Sequence, residues 1–132
     1  MQAMTRKITI TAGRREFRAR LNETATARAI AEVLPIKAWS TRWGGEIYLS
    51  IPIRAALEGD AREVLEAGEL AFWPPGGALC IFFGPTPVSD GGEIRAASRV
   101  NVVGRIEGDL EELERVADGA EVSLRAISEV QG

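Results

Sequence analysis

The chain has 132 residues, 45% hydrophobic and 27% charged, with a formal net charge of −3. This is the balance of one globular domain (1–132) with enough chain for a core, and it excludes the broad basic surface that nucleic acid requires. Histidine is absent and cysteine occurs once, as Cys80, which removes Ser-His-Asp triads, Cys-His dyads, histidine metal ligands and intramolecular disulfides.

With no signal segment and no apolar run of membrane-spanning length, the expectation is a cytoplasmic protein without membrane or nucleic-acid partners. Lys7–Ala12 and Glu16–Leu21 each alternate, with Ile8, Ile10, Phe17 and Leu21 inward and threonines or charged residues outward. Gly13 lies between them, where a tight hairpin needs a residue tolerant of positive φ. Arg14, Arg15, Arg18 and Arg20 then read as the solvated face of that hairpin. The period shifts to 3.6 at Ala27, Ile30, Ala31 and Leu34, which predicts an amphipathic helix capped by Asn22 or Thr24 and stopped by Pro35.

Ile36–Trp43 and Glu46–Ile51 bracket Gly44-Gly45, a second hairpin, and Pro52 ends it. Asp60 and Glu63 stand at capping-box spacing before Val64 and Leu65, so a short helical turn is expected, closed by Gly68. Glu69–Trp73 and Ala78–Phe83 are apolar on both faces, as expected of strands covered on both sides. Gly84–Ser98 reads as a long loop, Val100–Ile106 as a strand, Leu110–Ala117 as a second helix and Val122–Ala126 as a final strand. The expected fold is mainly β, a closed eight-stranded barrel with two capping α-helices and one helical turn.

Five places carry candidate chemistry. Trp73-Pro74-Pro75-Gly76 is a rigid aromatic corner where an indole can stack a ligand, although a packed Trp73 beside a turn is the plainer reading. Trp43, Tyr48 and Phe83 are candidates to line the same patch. Glu46 stands between Gly45 and Ile47-Tyr48; beside aromatic surface its carboxyl would be desolvated and suited to acid–base work, whereas at an exposed hairpin end it would be an ordinary carboxylate. Asn101 interrupts a valine strand, either to hold a ligand or to tie down a loop. Cys80 reads as an inert core thiol, and Asp90 with Glu93 offers too few oxygens for a metal site, so neither metal nor cofactor is expected.

The element order and the stretches Gly68–Trp73 and Leu79–Phe83 resemble cyclophilin. Trp43-Gly44-Gly45-Glu46-Ile47-Tyr48, Trp73-Pro74-Pro75-Gly76, Ala78–Gly84 and Val100-Asn101-Val102-Val103-Gly104 resemble, as a set, a small prokaryotic family of cyclophilin-like proteins without an established function. The resemblance implies a cyclophilin-like β-barrel across nearly the whole chain. In cyclophilins an arginine polarises a prolyl amide, and Arg42 aligns with it, but the flanking Phe-His-Arg and Phe-Met-x-Gln motifs are missing here. The expected function is a module binding a small molecule or a short peptide in a groove beside the Trp-Pro-Pro-Gly corner. The alternatives are a weak peptidyl-prolyl isomerase using Arg42, or a structural subunit that buries the corner in a homo-oligomer.

Overall fold

The computed structural model describes residues 6–127. These residues form ten strands: β1 (Arg6–Ala12), β2 (Arg15–Leu21), β3 (Ile36–Trp39), β4 (Thr41–Trp43), β5 (Glu46–Ser50), β6 (Arg62–Leu65), β7 (Glu69–Trp73), β8 (Ala78–Phe82), β9 (Ile94–Glu107) and β10 (Glu121–Ala126). One helix, α1 (Ala25–Glu32), lies between β2 and β3. All pairings are antiparallel, in the order β3-β10-β1-β2-β9-β7-β8-β5-β4, with β6 off this path on the first half of β9. The two end strands, β3 and β4, are consecutive in the chain and separated by Ser40 alone.

The opening hairpin follows its alternation: Ile8 faces Ala19 and Ile10 faces Phe17 across β1 and β2. Of the two cap candidates, Thr24 is the N-cap of α1, and Asn22 supports it. The Thr24 hydroxyl accepts from Ala27 N, while Asn22 Oδ1 accepts from the backbone and hydroxyl of Thr24. Ala27 and Ile30 of α1 enter the main core with Phe72, Leu79, Ile81 and Leu124. On the opposite face of β7 and β8 a second cluster gathers Ala71, Cys80 and Phe82 under Leu65, Ile94 and Val100. These two strands are therefore apolar on both faces because both faces are covered.

Four expectations change. The single strand Ile36–Trp43 divides at Ser40, whose N–H and hydroxyl both donate to the Ala120 carbonyl while the chain passes from the β10 ladder to the β5 ladder. Asp60–Gly68 holds strand β6, not a helical turn: only Leu65 of that strand is buried, so a helix would have had no apolar stripe to bury. The free edge at the start of β9 takes it instead, by backbone pairing. That edge exists because β9 begins at Ile94, inside the expected loop, its first half carrying the low-propensity run Ala96-Ala97-Ser98. The second helix shrinks to a 3-10 turn, Glu111–Arg115, with Leu113 its one buried residue and Asp109 Oδ1 accepting from Glu111 N. Among the described residues there are thus ten strands rather than eight, and one α-helix rather than two. Among the described residues, no helix is long and apolar enough to cross a membrane.

Candidate functional site

The site is built outward from the Gly44-Gly45 hairpin. Gly45 lies against the backbone of Gly84: a Cβ added there would stand 2.2 Å from the Gly84 carbonyl carbon. The Gly45 N–H donates to Pro85 O at 2.8 Å, and its carbonyl accepts from Phe83 N at 2.8 Å. Two backbones locked this closely place Trp43 opposite Glu46, and Glu46 opposite Phe82. Strand alternation then turns Glu46 and Tyr48 to the face away from the main core, and Ile47 and Leu49 into it.

On that outer face lies a half-open cavity of about 210 Å³. Trp43, Tyr48, Trp73 and Phe82 form aromatic walls; Cys80 and Glu46 lie between them, and Ala96, Ala97 and Val100 of β9 supply the remaining side. Trp73 is held at both ends. Its indole N–H donates to Ser98 Oγ at 2.6 Å, and its ring lies so close over Gly76 that a Cβ there would meet ring carbons at 2.5 Å. The Pro-Pro-Gly corner forms a 3-10 turn, Pro74–Gly76, whose closing glycine leaves room for that indole. Ring and turn are therefore one rigid unit.

Glu46 is the charged group of this cavity and is only 5% exposed. Burial disfavours its ionised form and pushes the carboxyl up to about 7, partly offset by hydrogen bonding from the Cys80 thiol. The same burial, with the Glu46 charge beside it, pushes the thiol well above its usual range. Cys80 Sγ also sits 3.9 Å from the Ala78 carbonyl, a weak contact. Such a thiol is protonated and unreactive at neutral pH, so the ionisable function of the cavity rests on one carboxyl.

The structure brings together Trp43, Glu46, Tyr48 and Trp73 from the sequence-derived candidates. Pro74 and Pro75 stand behind Trp73 in the turn and are not part of the cavity wall. Arg42 and Phe83 lie elsewhere. Arg42 pairs with Ile47 across the hairpin and so projects from the opposite face to Glu46. Its guanidinium donates to the carbonyls of Gly44, Glu114 and Val116 at 2.7, 2.9 and 3.2 Å, and stacks 4.9 Å from the centre of the Phe83 ring. Asn101 is buried at 1% exposure: Oδ1 accepts from Glu58 N, and Nδ2 donates to Thr26 Oγ1 and Ala56 O. Glu58 in turn accepts from the Thr26 backbone N–H and hydroxyl, so Asn101 ties the segment after Pro52 to α1. Glu93 is held low by Arg95, which donates to it at 2.6 Å, and by the Asp90 N–H. Among the described residues, no group of three or more His, Cys, Asp or Glu side chains is placed to hold a metal ion.

Sequence reading missed Phe82, Cys80, Ser98 and the alanines of β9 as site components. Parity would have placed Cys80 and Phe82, since they alternate with the core residues Leu79 and Ile81. No local signal marks Ala96–Val100, because its role follows from β9 crossing over the sheet.

Fold and site together define an antiparallel β protein carrying an aromatic cavity around one carboxyl. The chain belongs to the cyclophilin-like family, whose description, Cyclophilin-like, matches residues 6–125. It is similar to the solution structure of the hypothetical protein AF2241 from Archaeoglobus fulgidus, with 41% identity over 96% of this chain and 98% of that one, at a TM-score of 0.82. No match was found among curated proteins.

Proposed function

We propose that this protein is a binding module whose cavity takes an apolar group of a small molecule or of a short peptide. The observation that carries this reading is the convergence of Trp43, Tyr48, Trp73 and Phe82 on a nearly buried carboxyl, with one indole fixed in advance by Ser98 and Gly76. Walls ordered before binding lose little entropy on contact with a ligand. At about 210 Å³ the cavity is smaller than the roughly 300–1,000 Å³ of drug-sized sites, so it suits one ring or one side chain rather than a large ligand. A closed barrel would supply the rigid frame: the two ends of the strand order meet in the chain at Ser40, a connection that favours closure over an open sheet.

Arg42 gives the isomerase alternative no support, because its guanidinium is engaged with three carbonyls on the other face of the hairpin. The test of the binding reading is a fragment screen by chemical-shift perturbation. Binders are expected to move the indole signals of Trp43 and Trp73 and the amides of β5 and β8, and Tyr48→Ala is expected to weaken them about tenfold. A chemically diverse library that leaves all of these signals unmoved would overturn the reading.

A further inference from the structure

The cavity has a charge asymmetry that narrows what it accepts. Of its ten lining residues, Glu46 is acidic and none is basic. The rest of the lining comes from Trp43 on β4, Tyr48 on β5, Trp73 on β7, Cys80 and Phe82 on β8, and small residues of β8 and β9; Tyr48 and Cys80 are the other titratable groups among them. Among the described residues of the lining, none supplies a counter-charge. The arginine on the same hairpin, Arg42, is turned to the opposite face by strand parity. Aromatic rings carry negative potential on their faces and attract cations, most strongly where water is excluded. An anionic ligand would be repelled by the ionised carboxylate, and a neutral one would leave that charge without a partner.

We propose that the cavity recognises an organic cation, an alkylated or primary ammonium seated among Trp43, Tyr48 and Trp73 with its charge against the Glu46 carboxylate. This rests on the binding reading above and names the ligand class for that same cavity. The ammonium supplies the charge that the lining lacks, and its alkyl groups fill the aromatic space. Binding to the ionised carboxylate is coupled to proton release wherever Glu46 is protonated in the free protein, so affinity falls as pH drops below the raised carboxyl value of about 7. A free amine and a lysine-type side chain on a peptide share this chemistry.

The experiment is calorimetric titration of the full chain with choline and with dimethylbutanol, its uncharged carbon isostere, monitoring the Trp43 and Trp73 indole signals in parallel. At pH 8 choline is expected to bind at least about tenfold more tightly than the isostere, a preference that Glu46→Gln removes while the amide spectrum stays folded. Choline affinity in the wild type is expected to weaken several-fold between pH 8 and pH 6, with proton release visible as a dependence on buffer ionisation enthalpy. A trimethyllysine peptide titrated alongside distinguishes the sources: tighter binding than choline assigns a side-chain ligand, equal or weaker binding a free amine. Equal or tighter binding of the isostere, or an unchanged preference in Glu46→Gln, overturns the cation inference while leaving the binding reading intact. Indole signals moved by uncharged fragments but by neither choline nor a primary alkylammonium do the same. Signals moved by no compound at all overturn the parent reading.

Discussion

Glu46 is held by β5 against Phe82 and Cys80, and its carboxyl titrates at about 7 against 4.5 for an ordinary glutamate because burial penalises the charged form. The folded protein therefore holds this proton more tightly than the unfolded chain. The stability so contributed is complete below about pH 4.5 and is lost as pH rises through 7. At about 1.4 kcal/mol per unit, the loss is on the order of 3 kcal/mol. Glu46→Gln is expected to remove this part of the pH dependence and to be more stable than the wild type at pH 8, measured by urea denaturation at pH 5 and pH 8. Parallel pH dependences in the two proteins would show that another group is responsible. The neighbouring residue scale also explains Arg42: one step of strand parity separates a cavity carboxyl from an arginine that braces the chain around Glu114 and Val116.

At the scale of elements, the β4–β5 hairpin positions the cavity. Its two-residue turn fixes the register, and contact between Gly45 and the Gly84 backbone fixes where the hairpin lies against the end of β8. Gly45→Ala would force those backbones apart, since the added carbon has 2.2 Å where ordinary contact needs well over 3 Å. Overpacking of this kind typically costs about 1–3 kcal/mol. The expected result is a lowered denaturation midpoint together with displaced Trp43 and Glu46 amide signals; wild-type stability and spectra would show that the contact is not a constraint. Much of this hairpin was legible from Trp43-Gly44-Gly45-Glu46, because a glycine pair flanked by alternating residues specifies turn and register locally. Strand β6 was not legible. Its backbone pairs with an edge of β9 whose existence no residue between Asp60 and Gly68 encodes.

Over the whole molecule, two apolar layers share the strands β5, β7 and β8. Phe72 is fully buried in the main layer and Phe82 in the outer one. They differ in what lies beyond them: Phe72 is enclosed by the core, whereas Phe82 borders the open cavity. Phe72→Ala is expected to cost about 3–5 kcal/mol through lost burial and the void left behind. Phe82→Ala is expected to cost less, because water can enter the enlarged space from the open side, and to change ligand size preference. Equal losses measured by guanidinium denaturation would show that the outer layer is as tightly enclosed as the main one.

The amino-acid sequence by itself determined the mainly β class, the two hairpins, the capped helix and the doubly apolar β7 and β8. Each is encoded by period, turn residues and caps within a few neighbouring positions. It also carried the candidates Trp43, Glu46, Tyr48 and Trp73 and grouped Trp43 and Tyr48 with the Trp73 corner, but with Phe83 as well and without fixing Glu46 among them. Only the tertiary structure decided that these four share one cavity while Arg42, Phe83 and Asn101 belong to other surroundings. The reason is physical: the cavity is assembled from β4, β5, β7, β8 and the crossing half of β9. Which side chains meet there depends on long-range register and strand parity, where a shift of one residue exchanges the two faces.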